Sequence, residues 1–310
     1  MPGRRVEADH DAVSVPDAGR LWDQAATRIG SATGWSLSLV GRAGSAADDR
    51  RTWLAEADFG PAVVKSVTNP FAGERVAWAA AALPVLAGRG YPVPEVVWHG
   101  RLDERWFLVV QTRLPGQPLD SLGPATLEDL LALVERQAGL GPVLGGWDVS
   151  WWLSVVLFDG WEDWWDISED VAPKTSRRLR QFIEPAWGHR LPAADLVHHD
   201  LNLSNVLARD GAITGVVDWD DAGAGSRATD LACLLFEWHR LRLEARTEAA
   251  AEGGQTIAAR IAAIAGDDGL RCSITYAAIA NLALSAQRGD VRELEIWRQV
   301  TEEVLDSHAP

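Results

Sequence analysis

Cysteine, lysine and methionine are nearly absent from this 310-residue chain, which has two Cys, two Lys and one Met. Two cysteines, Cys233 and Cys272, cannot build a disulfide framework, and in helical-looking segments they read as buried thiols. Cations are scarce as well: 29 Lys+Arg face 44 Asp+Glu, a net charge of −15. That deficit excludes the clustered cations a phosphate backbone requires. It also excludes the basic amphipathic face of a membrane-surface helix. Neither a nucleic-acid nor a membrane partner is therefore expected. No apolar run can span a bilayer, because the longest, Val76–Leu86, is short and contains Pro84. Met1–Val15 is charged and lacks an apolar stretch, so no signal peptide is expected and the location reads as cytoplasmic. What the acidity leaves open is a neutral or cationic small molecule, drawn toward a cleft by negative charge.

The length suits two domains. Pro16-Asp17 and Ala18–Ile29 read as a capped helix. Trp35–Arg42, Arg51–Ala57, Ala62–Val67, Val96–His99 and Arg105–Gln111 read as strands divided by turn residues. Glu74–Ala87 has helical periodicity. From Leu127 onward the chain reads as helices at Leu127–Gly139, Glu169–Trp187, Thr229–Ala251, Thr256–Ala265, Arg271–Arg288 and Val291–Leu305. A β-like insert, Leu196–Asp220, interrupts them. The expectation is an α+β protein in two lobes. Residues 1–115 would form a five-stranded antiparallel sheet with one main helix, and residues 116–310 a larger, mainly helical lobe.

The chemistry concentrates in Leu196–Asp230, LVHHDLNLSNVLARDGAITGVVDWDDAGAGSRATD. His198, Asp200 and Asn205 are spaced H-x-D-x4-N. Asp218 follows the apolar run Ile213–Val217, which reads as the hairpin partner of the first segment, turning at Asp210-Gly211. Such a hairpin gathers carboxyl and amide oxygens at one end. An oxygen-only set suits Mg²⁺, which keeps waters and substrate phosphates in its shell. Phosphoryl transfer needs this combination: a loop Asp beside the attacking hydroxyl, and Asn plus a second Asp for the metal. Asp220 reads either as a second metal or substrate-cation contact or as a solvated turn acid.

VHHDLNLSNVL followed by GAITGVVDW resembles the catalytic loop and metal-binding strand of the aminoglycoside phosphotransferase and choline kinase-like family. It is most similar to the hygromycin-type antibiotic kinases. The resemblance implies a bilobed protein-kinase-like fold, ATP (or GTP) and Mg²⁺ as cofactors, and a small-molecule acceptor with a free hydroxyl. It implies Asp200 as catalytic base, His198 as a support for the loop, Asn205 and Asp218 as magnesium ligands, and Asp230 as a structural tie. One departure stands out: the family usually carries Gly between its His and Asp, where this chain has His199, a side chain able to reach the substrate or crowd the loop.

Lys65 ends the apolar run Ala62–Val64 and is one of only two lysines, with Lys174. On a strand it offers a rigid point charge to the α- and β-phosphates, and the resemblance implies the same role. Glu74 is the candidate helix acid to orient it. The Gly41–Asp49 turn, GRAGSAADD, has neither G-x-G-x-x-G nor a P-loop pattern. Gly44, Ser45 and Ala46 read equally as phosphate-facing amides and as an ordinary hairpin turn. Val109–Gly116 resembles the family's strand and hinge, which implies adenine contacts from the main chain of Gln111 to Arg113. Six of the 16 tryptophans fall between Trp147 and Trp165, interleaved with acids. Trp161 and Trp165 read as acceptor-pocket walls or as helix core.

The function these residues point to is a kinase for a small-molecule hydroxyl, with an antibiotic of aminoglycoside or nucleoside type first. A kinase of a small metabolite (fructosamine, amino alcohol or sugar) comes second. A non-catalytic nucleotide-binding pseudokinase is the alternative of another class. The chain would be a monomer or a homodimer.

Overall fold

The computed structural model describes residues 18–43, 51–68, 72–141, 147–160, 163–245 and 252–308. The chain divides into two compact units, one of residues 1–69 and 98–111, the other of residues 70–97 and 112–310.

The smaller unit is built on a five-stranded sheet of β1 (Leu37–Ala43), β2 (Arg51–Ala57), β3 (Gly60–Val67), β4 (Val96–Arg101) and β5 (Phe107–Thr112), in the order β1-β2-β3-β5-β4. β1 with β2 and β2 with β3 pair antiparallel. Alternation sets its core: Trp53 and Ala55 of β2 and Ala62 and Val64 of β3 are buried. Helix α1 (Ala18–Thr33) lays Leu21, Trp22, Ala25 and Ile29 inward at helical spacing. Trp22 meets Trp53 with ring centroids 5.8 Å apart.

Helix α2 (Ala72–Gly88) groups with the larger unit. Its buried face of Trp78, Ala82, Leu83 and Leu86 belongs to the core of that unit, and hydrophobic packing rather than chain order sets the division. The larger unit continues with α3 (Pro124–Glu135), α4 (Val149–Ser154, extended by a π-helical turn to Asp159), α5 (Trp164–Val171) and α6 (Pro173–Ile183). It ends with α7 (Ala228–Leu243), α8 (Glu252–Arg288) and α9 (Val291–His308). The expected helix Glu169–Trp187 is broken because Pro173 lacks an N–H and opens a new helix instead. The two helices expected before Arg288 are both present: α8 is two helical segments joined at Gly266, whose φ of 71° and ψ of −179° are not helical.

Between α6 and α7 lie β7 (Asp195–Val197), β8 (Val206–Arg209), β9 (Ala212–Val216) and β10 (Gly223–Gly225). β8 and β9 form the expected hairpin. Asp210 and Gly211 both have positive φ, 54° and 80°, the mirror-image turn that matches strand twist. β6 (Gln117–Pro118) adds to β8, and β7 pairs with β10. Among the described residues no helix is long and apolar enough to cross a membrane.

Candidate active site

The loop between β7 and β8 is held from beneath by one carboxylate. Asp230, in the first turn of α7, is fully buried. It accepts the backbone N–H of His198 at 2.8 Å, that of His199 at 2.7 Å, and Nε2–H of Gln137 at 2.8 Å. Burial pushes its carboxyl pKa up, against the opposing pull of His198 and of these donors.

His198 is a second anchor. Its Nδ1 accepts the N–H of Asp200 at 3.2 Å, so the ring proton sits on Nε2 and is donated to the Val217 carbonyl at 2.8 Å. The buried ring lies edge-on to Trp219, 4.6 Å between centroids. Trp219 also meets Tyr91 edge-on at 5.5 Å and donates Nε1–H to Val216 O. Thus one histidine ties the start of the loop to the residue just before Asp218.

The Asp200 carboxylate is fixed on both oxygens. Oδ1 accepts from Asn202 Nδ2 at 2.9 Å and Oδ2 from Asn205 Nδ2 at 3.1 Å. Asn205 Nδ2 also reaches the Asp200 carbonyl at 2.9 Å. With its amide protons directed at Asp200, the remaining capacity of Asn205 is its carbonyl oxygen Oδ1. The backbone bond Val217 N–H to Asn205 O, 2.9 Å, places Asp218 next in chain beside it. Asp218 itself adopts φ 67°, ψ 56°, turning the chain sharply out of β9 into the short helical turn Trp219–Asp221. The pair therefore supplies one neutral and one anionic oxygen, a donor set that fits a hard divalent ion retaining waters and phosphate oxygens. Among the described residues no group of three or more His, Cys, Asp or Glu side chains is placed to hold a metal ion.

The other expected residues are placed one by one. Lys65 is buried on β3, opposite Thr52 of β2, in the smaller unit. Gln111 is buried near the end of β5, whereas Arg113 is exposed just beyond it. Glu74 is exposed on the first turn of α2. Ser45 and Trp161 lie outside the described residues. Asp220 is half-buried in the turn after Asp218. Trp165 is a core residue, not a pocket wall: it is 4% exposed, donates Nε1–H to Leu157 O at 3.1 Å, and is covered by Arg180 at 4.1 Å.

The sequence reading missed two residues beside the loop, Arg75 and Tyr276. Arg75, the neighbour of Glu74, reaches Asp221 at 2.7 Å and lies over the Trp147 ring at 4.4 Å. Trp147 meets Trp152 at 5.7 Å. Trp147 is drawn in because its carbonyl accepts the Ala224 N–H of β10, and Gly223 leaves room: a Cβ there would stand 2.6 Å from Trp147 Cδ1. Tyr276 of α8 stacks on His199, with centroids 5.2 Å apart and planes 24° apart. One arginine among many and one of two tyrosines carry no spacing signal, since both arrive through packing. Burial pushes the His199 pKa down to about 4, with Asp221 opposing and Arg75 and His198 reinforcing the shift.

The chain is similar to proteins of known activity. The chain is 26% identical to hygromycin-B 4-O-kinase of Escherichia coli, over 48% of the chain and 49% of that protein. It is 32% identical to homoserine kinase of Agrobacterium fabrum, over 26% of the chain and 27% of that protein. The matches thus span about half or less of these relatives' lengths. The fold is shared with aminoglycoside phosphotransferase APH(4)-Ia, in the ternary complex of a thermostable mutant with ADP and hygromycin B. The TM-score is 0.66 at 17% identity, covering 93% of this chain and 99% of that one. The model of the phosphotransferase enzyme family matches residues 40–264, well over half of the sequence, and the chain belongs to that family.

Proposed function

We propose that the protein is a small-molecule kinase, transferring the γ-phosphoryl group of ATP or GTP to a hydroxyl of an antibiotic of aminoglycoside or nucleoside type. The observation that carries this reading is the Asp200 carboxylate, oriented on one oxygen by Asn202 and on the other by Asn205. It is supported by the matched hygromycin kinase and by the ADP and hygromycin B bound to the solved relative.

In this mechanism the acceptor oxygen forms a bond to the γ-phosphorus while the bond from that phosphorus to the β–γ bridging oxygen breaks, leaving ADP or GDP. The hydroxyl proton passes to Asp200. Its two amide hydrogen bonds hold the carboxylate in one orientation and keep lone pairs free for that proton. Asn205 Oδ1 and Asp218 would hold magnesium. When bound, the ion supplies positive charge to offset the negative charge developing on the phosphates. Lys65, on its rigid strand, supplies a further cation to the α- and β-phosphates, and main-chain groups of Gln111–Arg113 receive the base.

Incubation with ATP, Mg²⁺ and a panel of hydroxylated antibiotics tests this, read as acceptor mass gain of one phosphoryl group. Mg²⁺-dependent transfer to at least one of them is expected. Nucleotide binding with no transfer to any acceptor would favour the pseudokinase. The homoserine kinase match favours including amino alcohols in the panel, with sugars beside them, and transfer to those alone would establish a metabolite kinase.

A further inference from the structure

His199 occupies a position with φ 71°, a backbone conformation that strains an L residue and suits glycine. Strain retained beside a catalytic loop asks what the side chain does. The His199 ring is stacked on Tyr276, and its Nε2 is buried with no partner. Tyr276 is bonded in turn to Trp152, and Trp152 packs on Trp147. Arg75 covers Trp147 and neutralises Asp221. These six groups form one continuous wall within the larger unit. His199, Trp147 and Trp152 are only half-buried, and Asp221 is 43% exposed.

The wall's chemistry is aromatic, not anionic. A polycationic acceptor needs carboxylates with uncompensated charge, and here Asp221 is already paired to a guanidinium that repels ammonium groups. Aromatic faces instead attract sugar and heteroaromatic rings. We infer that this wall is the acceptor-docking surface, and that it selects an acceptor with a flat or apolar ring face and little positive charge over a polycationic aminoglycoside. The inference deepens the kinase reading and rests on it.

Tryptophan-fluorescence titration of the wild-type protein without nucleotide tests it, with a neutral aryl glycoside and kanamycin as probes. The aryl glycoside should bind more tightly. Arg75→Met should unmask Asp221 and tighten kanamycin binding about 5-fold at low salt, the size of one exposed charge contact, with the gain lost at high salt. His199→Gly removes the strain along with the stack, so it should fold at least as stably while the aryl glycoside binds several-fold more weakly. Tighter wild-type binding of kanamycin, absence of binding by both probes, or no change in either variant would overturn the inference. AMP-PNP binding measured on the same preparations separates the two readings, because its loss sinks the kinase proposal whichever probe binds.

Discussion

At the scale of single residues, polar contacts hold the loop in place. Asp200 is fixed by two asparagines, and removing its charge while keeping its shape isolates proton acceptance. Asp200→Asn should lower phosphoryl transfer by at least ~10²-fold, the lower range for a positioned base, with nucleotide affinity unchanged. Near-full turnover in that variant would reject the role. Asp230 is different, since it touches no substrate in this mechanism. Its Oδ2 accepts both the His198 N–H and Gln137 Nε2–H. Asp230→Asn would set amide protons against donors. A loss of about 2 kcal/mol in urea unfolding is expected, with activity lost as the loop relaxes. An unchanged midpoint would show that the tie is dispensable.

At the scale of elements, the hairpin and its close approaches place the site. Gly223 of β10 has no room for a methyl group, with Trp147 Cδ1 and Val149 Cγ2 each 2.6 Å from a Cβ. Gly223→Ala should cost about 1–3 kcal/mol by overpacking, and should shift tryptophan emission as Trp147 moves. An unaltered spectrum and melting point would mean that β10 slides to accommodate the change. The turn at Asp210-Gly211 and the limits of β2 were legible in the sequence, because turn chemistry and strand alternation are local. The break before Pro173 was missed because helical periodicity carries across it, although the proline itself marked it. The division of α8 at Gly266 was legible as well, because the helical pattern stops at Ala265 and glycine takes this non-helical conformation readily.

At the scale of the whole molecule, stability should depend on pH through buried histidines. Burial depresses the pKa of His199, His239 and His308. The unfolded chain then binds protons that the folded chain refuses, so their contribution is intact above the unfolded value near 6.5 and is lost as pH falls toward the folded value. For His199, falling to about 4, the loss amounts to about 2 kcal/mol by pH 5. Asp230 and Glu237 are raised by burial and act in the opposite sense, in the carboxylate range. Urea midpoints at pH 7.5 and pH 5 check this: the acid loss should be smaller in His199→Asn than in wild type. An equal loss would place the proton elsewhere.

The sequence by itself determined where the loop and its hairpin lie. His198, Asp200, Asn205, Asp218 and Asp230 lie within one short stretch, and a hairpin of that length must bring its two ends together. It also singled out Lys65 as an expected phosphate contact, through the rarity of lysine. Only the tertiary structure decided what surrounds that loop. Arg75 meets Asp221 across 146 positions and Gln137 meets Asp230 across 93, contacts created when helices bury apolar faces against one another. Hydrophobic burial is not directional, so the pattern that marks a buried face does not say which distant face will cover it.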